Sequence, residues 1–144
     1  MPQGEIISPL LWVIYIDPLL TVLKSSMVDP YSFNILNLPT SFSPALASAQ
    51  PFQLLVFMND STLIASSKAG PEHMLSITEK FYYLNNTAAN HSKYILVNNA
   101  IADCSSAINP PSITFNLKTS SLKLLDKITI TPVPAIISFR FLGV

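Results

Sequence analysis

The fold class is decided by one stretch near the middle of the chain, Phe52-Gln53-Leu54-Leu55-Val56-Phe57-Met58-Asn59-Asp60-Ser61-Thr62-Leu63-Ile64-Ala65. Two apolar runs rich in β-forming residues, 52–58 and 61–65, are separated only by Asn59 and Asp60. A two-residue hairpin turn needs positive backbone φ angles, which asparagine and aspartate tolerate better than other non-glycine residues. The stretch therefore predicts a β-hairpin whose tip is Asn59-Asp60.

A helix is predicted on each side of this hairpin. The first begins at Ser8-Pro9, because serine can cap the first amides and proline loses no hydrogen bond at the first helical position. Pro18 is expected to kink it. The second begins at Gly70-Pro71 and ends at Asn85-Asn86, and its apolar residues recur every three or four positions. These residues are Met74, Ile77, Phe81 and Leu84.

Shorter apolar segments predict further strands at Tyr94–Val97, Ile113–Phe115, Ile128–Ile130 and Ile137–Leu142. Residues 27–50 are rich in serine, proline and asparagine, and we interpret them as a connection with a candidate short helix at Pro44–Ala49. A helix, a hairpin, a second helix and then short strands predict an α+β fold. The expected arrangement is an antiparallel sheet with two helices packed on one face.

The composition excludes several classes of protein. Hydrophobic residues make up 49% of the 144 residues, and charged residues only 11%, against a usual figure of about 25%. This balance argues against a disordered chain, and a net charge of zero gives no basic surface for independent nucleic-acid binding. A single cysteine, Cys104, excludes an intramolecular disulfide and a cysteine-rich zinc site. So many apolar residues with so little charge suggest a core with too little polar surface to cover it, as in an internal piece of a larger protein. We therefore expect aggregation or self-association through exposed apolar faces.

The longest apolar stretch, Ile6 to Leu23, does not predict a membrane span. It contains Asp17, which costs roughly 2.5–3.5 kcal/mol on insertion scales, and Pro18, which interrupts backbone hydrogen bonding. The first basic residue, Lys24, follows the stretch, whereas a signal peptide carries basic residues before it. We therefore expect an intracellular protein, nuclear or cytoplasmic and not secreted. A small membrane-associated protein is a distant alternative.

Four segments resemble, in order along the chain, the sequence blocks of one family. They are Gln3-Gly4-Glu5-Ile6-Ile7-Ser8-Pro9-Leu10-Leu11, Phe57-Met58-Asn59-Asp60, Asn90-His91-Ser92-Lys93 and Phe141-Leu142-Gly143. The family is the reverse transcriptases of LINE-like, non-LTR retrotransposons. Its blocks read Gln-Gly-x-x-x-Ser-Pro-x-Leu, Phe/Tyr-x-Asp-Asp, Asn-x-x-Lys and Phe/Tyr-Leu-Gly. The first match is specific by itself, the second by its position, and the last two are weak alone.

The resemblance implies that residues 1–144 form a partial reverse transcriptase domain, the palm from the Gln-Gly block to the Phe-Leu-Gly turn. The fingers, the first palm strand and the thumb are expected to be absent. The ancestral activity is RNA-directed DNA polymerisation, in which a deoxynucleoside triphosphate is joined to a primer 3′-hydroxyl with two magnesium ions. Its partners are an RNA template, a DNA primer and the nucleotide.

The resemblance also implies roles for individual residues. Gln3 and Gly4 match the loop against the template and the incoming base, and Asp60 matches one of the metal-binding aspartates. Lys93 matches a lysine near the triphosphate, although an exposed loop lysine explains it equally well. A turn near the primer is matched by Phe141, Leu142 and Gly143. The two histidines, His73 and His91, match no metal-ligand spacing and are expected at the surface.

The sequence departs from the family at the first hairpin aspartate, which is Asn59 here. An amide offers one neutral oxygen acceptor, so it bridges two cations poorly. The family's other essential aspartate lies on a strand before the Gln-Gly block, and we expect it to be missing. With Asp60 alone, we expect no tightly bound magnesium and no polymerase activity. The alternative is a non-catalytic remnant that acts, if at all, as a protein-interaction module.

Overall fold

The computed structural model describes residues 7–33, 50–52, 54–57, 60–98, 109–118 and 126–134. The chain divides into two compact units, Met1–Met74 and Leu75–Val144. Buried apolar side chains form the interior of each. In the first unit they are Ile16, Leu19, Leu23 and Met74; in the second they are Leu75, Phe115, Leu117 and Ile128.

Helix α1, Ser8–Ser25, is the first element. Ser8 was expected to occupy the N-cap position, and this is wrong: Ser8 is already helical, and the N-cap residue is Ile7, whose side chain makes no capping hydrogen bond. The helix continues through Pro18, so the proline does not end it. At the other end, the hydroxyl groups of Ser25 and Ser26 donate to the carbonyl of Val22 at 3.0 and 2.7 Å. The amide of Ser26 donates to the same carbonyl at 3.1 Å, so three hydrogen bonds converge on one carbonyl of the last turn.

The predicted hairpin is present. Strand β3, Leu54–Phe57, pairs antiparallel with strand β4, Asp60–Leu63, and the register places Leu54 opposite Leu63 and Phe57 opposite Asp60. Asp60 was predicted as a turn residue, and this is wrong: it is the first residue of β4, where it pairs with Phe57. The other predicted turn residue, Asn59, lies outside the described residues, together with Met58.

Two further strand pairs complete the β structure of the described residues. Strand β1, Tyr31–Phe33, pairs with strand β2, Gln50–Phe52, and both strands lie in the first unit. Strand β5, Ile113–Asn116, pairs with strand β6, Lys127–Ile130, in the second unit. Both of these pairs are antiparallel, so the described strands form three two-stranded sheets. With two helices, these sheets confirm the predicted α+β class.

Two sequence predictions about strands are wrong. Residues 27–50 were interpreted as a connection, but Tyr31–Phe33 forms a strand because its partner lies at Gln50–Phe52. Tyr94–Val97 is not a regular strand: a single parallel bridge joins Leu96 to Pro132, with the amide of Val133 donating to the carbonyl of Leu96 at 2.8 Å. The predicted segments Pro44–Ala49 and Ile137–Leu142 lie outside the described residues.

Helix α2, Ala69–Leu84, begins one residue before the predicted Gly70-Pro71 and ends where predicted. Asn86 adopts a left-handed conformation with φ 52°, which asparagine tolerates. The amides of Asn86 and Thr87 donate to the carbonyls of Tyr83 and Tyr82 at 3.1 and 2.9 Å. These bonds satisfy carbonyls that the end of the helix leaves without partners.

Gly70 lies where α2 approaches the backbone before β1. It is buried, and an added Cβ atom would overlap the Cβ of Ala65 and lie 3.0 Å from the carbonyl oxygen of Val28. The neighbouring backbone is held in place, because the amide of Ser66 donates to the carbonyl of Asp29 at 3.0 Å and the Ser67 hydroxyl donates to the Asp29 carboxylate at 2.6 Å. Only a residue without a side chain fits this approach.

We therefore expect Gly70→Ala to destabilise the protein by about 1–3 kcal/mol, the usual cost of overpacking a buried site. Urea denaturation followed by circular dichroism measures the loss. The matched control is Ala69→Gly at the exposed neighbouring position, where the expected change is about 1 kcal/mol or less. A Gly70→Ala variant as stable as the parent would show that the contact with Ala65 relaxes without cost.

Candidate functional site

Asp60 begins strand β4 and lies directly opposite Phe57. Its side chain is exposed. The strand pairing therefore places this carboxylate beside the hairpin tip, with its oxygens open to solvent. A single exposed carboxylate can contact a hard divalent cation, but such ions take several oxygen ligands at once. Asp60 alone is a weak site.

Further metal ligands do not cluster in the part of the chain that the structure describes. Within those residues, no group of three or more histidine, cysteine, aspartate or glutamate side chains could hold a metal ion. The magnesium of the ancestral reaction, and the expectation that this chain binds none tightly, both remain predictions that depend on the chemistry of the hairpin tip.

Lys93 lies at the end of a short 3₁₀ helix, His91–Lys93, which Asn90 caps. The Asn90 side-chain oxygen accepts from the amide of Ser92 at 3.2 Å and from its hydroxyl at 2.6 Å. The amide of Lys93 donates to the carbonyl of Asn90 at 3.0 Å. The segment Asn90-x-x-Lys93 is thus a capped turn that carries an exposed lysine. This position fits both a lysine near a bound triphosphate and an ordinary exposed loop lysine.

His91 was expected at the surface, and its side chain is only 29% exposed because it contacts α2. Its Nε2 atom lies 2.6 Å from Oε1 of Glu79, a residue of α2 that is only 7% exposed. The His91 ring also contacts the Tyr94 ring edge to face, with centroids 5.2 Å apart. We call these three residues the Glu79 cluster. His73 was also expected at the surface, and it is only partly exposed.

The Glu79 cluster left no signal in the sequence. Glu79 and His91 are 12 residues apart, beyond the spacing at which side chains meet on one helix, so their contact depends on how the chain turns after α2. A buried carboxylate requires a hydrogen-bonding partner. The sequence does not show that Glu79 is buried, so it could not predict that Glu79 has such a partner. The pair fixes the 3₁₀ helix, and therefore the backbone of Lys93, against α2.

Tyr94 is held in its neutral form. Burial raises the pKa of its hydroxyl well above the ordinary value, and the negative charges of Glu79 and of ionised Tyr82 raise it further. The unfolded chain loses this proton near pH 10, before the folded protein does. Stability from this group is therefore complete below about pH 10 and falls as the pH rises beyond it.

We expect Tyr94→Phe to weaken the loss of stability between about pH 9 and about pH 11, because the variant has no hydroxyl to ionise. Urea denaturation at a series of pH values measures the free energy of unfolding, and its slope against pH is then compared between variants. Tyr83→Phe is the control, since Tyr83 is 46% exposed, and its slope should match that of the parent. Equal slopes for Tyr94→Phe and the parent would contradict this role of Tyr94.

The remaining predicted site residues lie outside the described residues. They are Gln3, Gly4, Asn59, Phe141, Leu142 and Gly143. Of the predicted residues within the described ranges, Asp60 belongs to the first unit and Lys93 to the second. The template, primer and nucleotide roles therefore remain predictions.

Comparisons of the chain with protein-family models, with curated proteins and with solved structures find no match. Among the described residues, neither helix is long and apolar enough to cross a membrane. This finding agrees with the effect expected of Asp17 and Pro18 in the apolar stretch around α1.

Proposed function

We propose that residues 1–144 are a palm segment of a LINE-like, non-LTR reverse transcriptase that has lost polymerase activity. The proposal rests on four sequence blocks in the family's order, spanning almost the whole chain. Magnesium, RNA template, DNA primer and deoxynucleoside triphosphate belong to the ancestral reaction.

One observation supports the proposal most strongly. The antiparallel pairing of Phe57 with Asp60 makes Phe57-Met58-Asn59-Asp60 the closing segment of a two-stranded hairpin. In the family, the block that this segment resembles is also a hairpin, and it presents its aspartates to the metal ions. The match in sequence and the strand pairing on either side of it therefore agree.

The chemistry of the tip explains why the activity would be lost. In the ancestral reaction the primer 3′-hydroxyl attacks the α-phosphorus of the nucleotide and pyrophosphate leaves, while two cations stabilise the attacking and leaving oxygens. Phosphoryl transfer depends on positioning and charge stabilisation more than on any covalent step. With Asn59 in place of an aspartate, the tip carries one negative charge instead of two. Within residues 1–144, Asp60 alone matches a metal-binding carboxylate of the family.

Titration with Mn²⁺, followed by electron paramagnetic resonance, tests the assignment of position 59. We expect Asn59→Asp to bind Mn²⁺ more tightly than the parent, by on the order of tenfold, because two adjacent carboxylates then face one cation. Adding Asp60→Asn to this variant should return the affinity to that of the parent. Neither the parent nor Asn59→Asp should extend a primer on a poly(rA) template, since one restored member of a catalytic set recovers almost nothing. Extension by the parent, or an unchanged Mn²⁺ affinity in Asn59→Asp, would contradict the proposal.

A second candidate function is a protein-interaction module without catalysis. The observation that favours it is the number of large apolar side chains that α1 exposes: Leu10, Leu11, Val13, Ile14 and Val22. Primer extension separates the two functions, because the module would leave the primer unchanged in every variant of position 59, including those joined to the parts of a polymerase that residues 1–144 do not match.

A further inference from the structure

We draw no further inference here: the strongest candidate, the exposed apolar face of helix α1 around Leu10, Leu11 and Ile14, carries none because nothing in the described part of the structure shows what covers it.

Discussion

Asn59→Asp should restore nucleotide incorporation when residues 1–144 are joined to the parts of a polymerase that they do not match. The fusion takes the fingers and first palm strand of an active reverse transcriptase before residue 1, and its thumb after residue 144. The upstream strand supplies the second essential carboxylate, and the thumb and fingers hold primer and template in line. With Asp60 already beside the hairpin tip, the two cations regain their negatively charged ligands. Primer extension on poly(rA) measures incorporation.

The same fusion with Asn59 should stay near background. Removing one member of a set of groups that act together lowers the rate by on the order of 10³-fold or more, so the difference between the two fusions is large. Asp60→Asn in the Asn59→Asp fusion should abolish extension again, which ties the recovery to the carboxylate pair. Equal extension by the Asn59 and Asn59→Asp fusions would show that position 59 is not the crippling change.

His91→Ala should destabilise the second unit by about 2–3 kcal/mol, because it leaves the buried Glu79 carboxylate without its hydrogen-bonded partner. Oε1 of Glu79 lies 2.6 Å from Nε2 of His91, and its side chain is only 9% exposed, so little water is available to replace the imidazole. Urea denaturation measures the loss. Because the pair holds the 3₁₀ helix that carries Lys93, hydrogen exchange of the Lys93 and Tyr94 amides should also increase.

Two controls separate the loss of a partner from the loss of packing. Glu79→Gln keeps a hydrogen-bonding group of the same shape and removes the charge, so its cost should be about 1 kcal/mol or less. The double variant Glu79→Met/His91→Phe replaces both polar groups with apolar ones and should recover most of the stability that His91→Ala loses. A His91→Ala variant as stable as the parent would contradict this role of the Glu79 cluster.

Features set by neighbouring residues could be predicted from the sequence. The hairpin follows from two apolar runs around Asn59-Asp60, and the end of α2 follows from Asn85-Asn86, because Asn86 tolerates positive φ. Both are decided within a few residues of chain. The α+β class was therefore predictable, and it is confirmed.

Features set by distant partners could not be predicted. Tyr31–Phe33 alternates aromatic and polar residues, but three residues are too short a run to predict a strand. It forms β1 by pairing with Gln50–Phe52, which is distant in sequence. Ser8 should have been a cap by its residue type, but the helix already includes it. Strand propensity at Tyr94–Val97 is overridden by local packing of His91 and Tyr94 and by the bridge from Leu96 to Pro132.

The features of the candidate site also differ in whether the sequence could predict them. A motif such as Phe57-Met58-Asn59-Asp60 can be recognised because its residues are consecutive, and its hairpin follows from local rules. The Glu79–His91 pair could not be recognised, since neither residue has a distinctive neighbour in sequence. The exposed apolar residues of α1, such as Leu10, Leu11 and Ile14, lie between these cases: their spacing is visible in the sequence, but their exposure is a property of the fold.

The sequence of the genomic DNA on both sides of the codons for residues 1–144 tests the central claim of reverse transcriptase ancestry most directly. We predict that the upstream DNA encodes an aspartate-bearing strand preceded by fingers-like segments, either in the same reading frame or after an interruption. The downstream DNA should encode thumb-like segments. Flanking DNA with no reverse transcriptase-like coding block on either side would contradict the proposed ancestry.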